Sequence, residues 1–256
     1  MPQDAAARVY VYGVLSGSDQ AAVSVGGVEK AEVRTVEHAG LAALVSSLEA
    51  DALAAAREVR AHWRVLEEAS KSATVLPVRF GTVLDGDAAV REQLLEPNAE
   101  RLAQLLGELH GRVQLNVKGE YDEERLLREV VGASPAVATL RDRVQSVSET
   151  AGYYDRIRLG ELVAAEIARH QEQDAALALA RLEPLAVTAS VEQPSSPNAA
   201  FGLAFLVDGG EVDAFSEAVG RLRQELGERV ALRYVGPLPP YSFAEADLSA
   251  GAAAWA

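Results

Sequence analysis

At 256 residues the chain exceeds one typical domain, and its 49% hydrophobic and 24% charged content suits a globular protein built as two. A formal net charge of −14 opposes phosphate backbones and anionic bilayers, which argues against nucleic acid and membrane surfaces as partners. The absence of cysteine rules out disulfides, thiol nucleophiles and thiolate metal sites.

The run from Arg8 to Leu15 alternates and is rich in β-formers, which predicts a first strand. Ser16 to Asp19 follow as a loop, and Val23-Ser24-Val25 read as a short second strand. The stretches 32–36 and 41–45 flank His38-Ala39-Gly40, the pattern of a hairpin. A helix is predicted over 51–72, capped by Asp51, with Leu53, Val59, Trp63 and Leu66 as its inward stripe. Residues 74–79 form the next strand, placed at a sheet edge because Pro77 cannot donate to a ladder. From Asp85 or Asp87 a leucine-rich helix runs to Leu109, with a break at Pro97. Arg112 to Tyr121 alternate as a strand and close a first domain, 1–121, in which an antiparallel or mixed sheet carries two helices on one face, a relative of the ferredoxin-like arrangement.

The middle of the chain reads as helical. Val137, Leu140, Val144 and Val147 give a narrow apolar seam, Thr150-Ala151-Gly152 a break, and Tyr154 to Leu182 a broad stripe, so a helical hairpin is expected. Strands follow at 185–191 and 201–207, separated by a loop with Pro194, Ser195, Ser196 and Pro197. A helix at about 211–226, with Val212, Phe215, Val219 and Leu222 at near-ideal spacing, and a strand at 230–235 complete a small β layer within a second domain, 122–235. Pro237, Pro239 and Pro240 predict an extended tail, 236–256, docked through Leu238, Tyr241 and Phe243, with an alanine-rich end that frays. The fold class is therefore α+β.

Chemistry is sparse. Glu166, His170 and Asp174 share one helical face and are the best metal candidate, but such a set on one helix reads first as a solvated polar face. Gly209-Gly210 precede a helix, yet Glu211 and Asp213 in its first turn would repel an anion. No phosphate-binding loop or nucleophile elbow is present in the sequence, so no catalytic residue and no cofactor is assigned. The N-terminal residues lack a secretory layout and no stretch approaches the roughly 20 apolar residues a bilayer demands, so the cytoplasm is the expected compartment. The segment Leu76-Pro77-Val78-Arg79-Phe80-Gly81-Thr82 stands out, because it sets an arginine beside an aromatic at a strand edge. Its ordinary reading is a strand end with Arg79 held by a carboxylate; its functional reading is a recognition edge.

That segment, together with Val9 to Val14, Arg158-Leu159-Gly160-Glu161-Leu162-Val163, Leu182 to Val187, Phe205-Leu206-Val207 and Gly236 to Phe243, resembles the gas vesicle protein F/L family (GvpL/GvpF) along nearly the whole chain. The resemblance implies a modified ferredoxin-like N-terminal domain, a largely helical C-terminal domain, and a non-enzymatic accessory protein of gas vesicle formation. Its implied partners are the small hydrophobic shell protein and other accessory proteins, and its implied location is the cytoplasm, associated with gas vesicles. Arg79, Phe80, Tyr241 and Phe243 are the expected partner-binding residues. The alternatives are a minor structural component of the shell and, third, an enzyme acting on a small ligand. The residues do not separate the F branch from the L branch.

Overall fold

Strand β1, Val9–Ser16, is buried at every position but Ser16. A strand so enclosed needs ladder partners on both edges and cover on its faces. The computed structural model describes residues 8–19, 21–49, 56–148, 151–193, 196 and 198–248, and in it the chain divides into two compact units, residues 1–114 with 237–256, and residues 115–236.

In the first unit, β2 (Arg34–His38) and β3 (Leu41–Ser47) form the expected hairpin, turning through Ala39 at φ 51° and Gly40 at φ 78°. Paired positive φ values suit the right-handed twist of the strands. Strand β3 pairs antiparallel with β1, and a bulge inserts Tyr12 between the pairs Val11–Val45 and Gly13–Leu44. The other edge of β1 is shared by two short antiparallel partners, β4 (Leu76–Pro77) and β5 (Val83–Leu84). Pro77 thus lies at a sheet edge, but the strand is two residues long where 74–79 was expected. The proline removes a donor, and the turn at 79–82 swings the chain away before β5. Backbones approach closely here. A Cβ on Gly13 would sit 2.7 Å from the Leu76 carbonyl oxygen and 2.8 Å from Val75 Cγ1.

Helix α1 (Ala56–Ala69) covers the sheet with Glu58, Ala61, His62, Val65, Leu66 and Ala69. Of the predicted stripe, Leu66 is buried, whereas Val59 and Trp63 are 37% and 39% exposed. The true inward face carries two polar residues, which is why counting apolar positions rotates the helix. Asp51 and Leu53 lie outside the described residues. Residues 23–25 are not a strand; Ser24 Oγ and the Val25 N–H instead donate to the Glu68 carboxylate at 2.7 and 3.1 Å. The leucine-rich helix is broken as expected near Pro97: α2 (Gly86–Ala89) runs into a π-helical turn, Val90–Leu95, and α3 (Ala99–Leu109) resumes with Leu102, Leu105, Leu106 and Leu109 buried.

In the second unit a four-stranded sheet runs β7-β8-β6-β9, formed by β6 (Arg112–Tyr121), β7 (Thr188–Val191), β8 (Ala199–Asp208) and β9 (Val230–Leu238). Strand β6, expected in the first sheet, is a central strand of this one. Its alternation marks a strand, but alternation carries no address for its partner. Among the described residues the middle holds three helices, not a hairpin of two: α4 (Glu123–Ala133), α5 (Pro135–Ser146) and α6 (Tyr153–Leu182). Asp122 caps α4 by accepting from the Arg125 N–H at 2.9 Å. The narrow seam is partial, since Val137 is buried and Val147 is 38% exposed. Residues 183–185 turn as a 3₁₀ helix, so β7 starts at Thr188 rather than at 185. Helix α7 (Val212–Leu226) buries Phe215, Val219 and Leu222 of the predicted stripe and leaves Val212 half-buried. Thr150, Pro194, Ser195 and Pro197 lie outside the described residues.

The tail differs from expectation. Strand β9 continues to Leu238 through Pro237, which its edge position allows because no ladder partner needs that N–H. Pro239-Pro240 then lead into a helix, α8 (Tyr241–Leu248), whose first bonds run from the Phe243 and Ala244 N–H groups to the Pro240 carbonyl. Residues 249–256 lie outside the described residues. Among the described residues no helix is long and apolar enough to cross a membrane.

Two glycines give opposite predictions. Gly13→Ala is expected to cost about 2 kcal/mol or more, because its Cβ meets a backbone carbonyl that cannot step aside. Gly160→Ala, in α6 with nothing within 4 Å of the added Cβ, is expected to stabilise by up to about 1 kcal/mol through reduced unfolded-state entropy. Urea unfolding midpoints of the two variants check both.

Candidate functional site

Tyr10 and Tyr12 stand two residues apart on β1 and are fully buried. A buried phenol requires a hydrogen-bond partner. Tyr12 Oη lies 2.7 Å from Ser46 Oγ on β3 and accepts the Val28 N–H at 2.7 Å. Tyr10 Oη lies 2.9 Å from His62 Nδ1 on α1 and accepts the Gly81 N–H at 3.1 Å. His62, also fully buried, places its Nε2 2.9 Å from Tyr241 Oη on α8, and that hydroxyl donates to the Val78 carbonyl at 3.0 Å. One imidazole therefore joins β1, the 78–81 turn and the C-terminal helix.

The rings around it reinforce the cluster. His62 is stacked on Tyr12 and meets Tyr10 and Phe80 edge-on, each at 5.7 Å, and Tyr241 lies 4.6 Å from the Trp63 ring. Burial pushes the Tyr10 and Tyr12 phenols up, each partly offset by its hydrogen bonds. Burial pushes His62 down to about 4, against a smaller opposing pull from the Val78 backbone. At neutral pH the cluster is uncharged. Helix α8 has a second anchor in Gln114, which is 2% exposed: its Nε2 donates to Ser242 Oγ at 3.0 Å and its Oε1 accepts the Ser242 N–H at 2.8 Å.

Of the residues singled out from sequence, Phe80 and Tyr241 meet at this cluster through His62. Arg79 is exposed on the turn, and its carbonyl accepts from the Thr82 N–H and Oγ1 at 3.3 and 2.9 Å. Phe243 is half-buried, and among the described residues no ring contact joins it to the other three. His62, Gln114 and Trp63 escaped the sequence reading as site residues. A signal for the first existed: Glu58 and His62 fall four apart, in step with Val65, Leu66 and Ala69, so a polar pair sits on a core-facing stripe.

The metal candidate is dispersed among structural partners. Asp174 is 4% exposed and takes a two-pronged bond from Arg229, at 2.8 and 2.7 Å, with the Tyr121 hydroxyl donating at 2.8 Å. Glu166 pairs with Arg169 at 2.9 Å. Among the described residues no group of three or more His, Asp or Glu could hold a metal ion. Burial is the largest influence on Arg229 and opposes its charge, but the Asp174 hydrogen bonds together with the Asp174 and Glu129 charges outweigh it and raise its pKa. Gly209-Gly210 form a 3₁₀ turn into α7 with Glu211 and Asp213 at its start.

Asp174→Ala is expected to destabilise by about 3 kcal/mol, since it strands a largely buried guanidinium and leaves the Tyr121 hydroxyl without its acceptor. A chemical-denaturation curve checks this; a loss below about 1 kcal/mol would show the pair to be solvated.

Residues 8–245 match the family described as gas vesicle synthesis protein GvpL/GvpF. The chain is similar to gas vesicle protein F of Streptomyces sp. (strain CB03234), at 33% identity covering 92% of this chain and 99% of that one. It is also similar to the crystal structure of the gas vesicle protein GvpF from Anabaena sp. PCC7120, with a TM-score of 0.80 and 26% identity over 93% of this chain and 98% of that one. The fold is shared with the crystal structure of GvpF from Microcystis aeruginosa, at a TM-score of 0.78 and 24% identity over 93% and 99% of the two chains. By these full-length matches the chain belongs to the GvpL/GvpF family of gas vesicle synthesis proteins.

Proposed function

We propose that the chain acts in gas vesicle formation as a non-enzymatic accessory protein, working in the cytoplasm on the forming vesicle and binding the small hydrophobic shell protein and other accessory proteins. The observation that carries this reading is the family match across residues 8–245, which takes in both units and α8 up to its second turn. The chemistry of the described residues supports it. Asp174, His62 and the buried tyrosines are engaged in bonds that hold elements together rather than facing an open cleft. A strongly apolar shell subunit needs cover before it is built in, and a partner of net charge −14 would keep the complex dispersed.

The proposed contact is the turn bearing Arg79 and Phe80, together with the adjoining face of α8 around Tyr241 and Phe243. An exposed guanidinium beside half-buried aromatics has the composition of interface anchors. Phe80 and Tyr241 are already held in place by packing on His62 and Trp63, so little ordering entropy would be lost on binding.

Co-expression with the shell protein followed by affinity capture tests the reading. Wild-type chain is expected to retain shell protein in the soluble fraction. Arg79→Ala is expected to weaken capture by about tenfold without loss of folded protein, as for a single interface anchor of about 1–2 kcal/mol. Equal capture by a folded Arg79→Ala, Phe243→Ala double variant would exclude this surface.

A further inference from the structure

One arrangement of protons satisfies every hydrogen bond described around His62. The Val78 carbonyl can only accept, so the single Tyr241 hydroxyl proton points to it. Tyr241 Oη must then accept from His62, which places a proton on Nε2. With burial keeping the ring neutral, Nδ1 carries none and accepts from the Tyr10 hydroxyl, whose oxygen in turn receives the Gly81 N–H. The relay thus runs in one direction, from the Gly81 amide through Tyr10, His62 and Tyr241 to the Val78 carbonyl. It begins and ends on the turn that carries Arg79 and Phe80.

We infer that His62 is a proton-operated clasp: as the neutral Nε2–H tautomer it locks the 78–81 turn and α8 into one unit, and a proton added to Nδ1 releases both together. At Nδ1 the reason is donor counting; for α8, whose Tyr241 still accepts from Nε2–H, it is the cost of a charge enclosed in the cluster that α8 helps to close. In the cation Nδ1–H points at Tyr10 Oη, so the Tyr10 hydroxyl proton loses its acceptor inside a fully buried cluster, and an imidazolium is left among apolar rings. The titratable groups facing the ring offer little relief. From β1 they are Tyr10 and Tyr12 and from α8 Tyr241, while the 78–81 turn presents the Phe80 ring and the Val78 carbonyl, whose pull toward the charged ring is smaller than the cost of burial. On α1 itself Glu58 lies one turn back, and its carboxylate is already taken by the Glu29 N–H at 2.9 Å and by Arg57 at 2.6 Å. Opening the cluster lets water solvate the charge.

The direction of the pH dependence comes from proton linkage. His62 has a folded pKa below its ordinary value of 6.5, so the closed state binds fewer protons than the open one. Closure is fully favoured above about 6.5 and is lost progressively as pH falls toward about 4. Glu58, Glu68 and Asp87, which hydrogen bonds hold below their ordinary values, add a loss of their own only at the acid end, as pH falls toward and below the ordinary carboxylate values. The clasp stands on the intramolecular geometry and on the burial of His62; that it governs partner capture rests on the Arg79 surface proposed above.

Amide hydrogen exchange on the full-length chain, corrected for intrinsic pH dependence, tests the clasp directly. Between about pH 6.5 and 4.5 the Gly81 amide and the α8 amides of Phe243 and Ala244 are expected to lose protection together, by about tenfold per pH unit, the slope of one linked proton. Amides of β8 serve as the internal reference and should stay level. In Tyr241→Phe, which keeps the ring on Trp63 but removes the hydroxyl, the α8 dependence is expected to vanish. Nitrogen chemical shifts should show protonated Nε2 and bare Nδ1 at neutral pH. The inference is overturned by the opposite tautomer, by Gly81 and α8 opening at different pH, or by an unchanged slope in Tyr241→Phe. Shell-protein capture that is insensitive to pH while the exchange result holds would count against the Arg79 surface and leave the clasp standing.

Discussion

A phenol buried in the middle of a sheet imposes conditions on everything near it. Tyr10 and Tyr12 bring two hydroxyls into the core of the first unit, and each unsatisfied one would cost about 1–3 kcal/mol. The surrounding elements meet that demand from separate parts of the chain: Ser46 from β3, the Val28 amide from the loop after β1, His62 from α1, and the Gly81 amide from the turn before β5. The same hydroxyls therefore stabilise and specify. A slipped register would leave the phenols facing apolar neighbours, so one arrangement is selected over the many that merely bury the same area.

The second unit solves a similar problem with charge. Strand β8 is an almost unbroken apolar run, and Phe205 packs against Phe215 of α7 with ring centroids 5.1 Å apart. Against that featureless surface α6 has little to fix its rotation, because among its residues Asp174, Ala178 and Leu182 alone are buried. The Asp174–Arg229 pair, joined by Tyr121, supplies the missing direction. Arg229 holds its place because its own carbonyl accepts the Asp122 N–H and Glu129 lies 3.4 Å from its Nε. A buried ion pair contributes little net stability compared with apolar packing, but it tolerates only one geometry.

These interactions give the residues that carry the family resemblance their physical reasons. Gly13 lets the Leu76 carbonyl approach β1. Pro77 ends the edge strand so that the chain can turn at 79–82. Pro239 and Pro240 stop β9 and start α8, and Tyr241 then reaches His62 from its first turn. These residues, far apart in sequence, serve a single junction in the first unit.

Local pattern alone determined much of this protein. Period-two alternation marked β1 and β6, two β-prone runs around a short Gly-containing loop marked the β2–β3 hairpin, a continuous apolar run marked β8, and the stripe of Val212, Phe215, Val219 and Leu222 marked α7, because backbone pleat and helical pitch are set by neighbouring residues. The α+β class followed from the same short-range record, and the family from the resemblance of the quoted motifs along the chain. What tertiary structure decided was partnership. Nothing in Arg112 to Tyr121 tells which sheet the strand joins, nothing in Pro237 tells that β9 can carry it at an edge, and the stripe of α1 misleads because its inward face holds Glu58 and His62. Those outcomes depend on residues more than 50 positions away, such as Tyr10 for His62 and Arg229 for Asp174, whose hydrogen bonds exist only once the chain has folded.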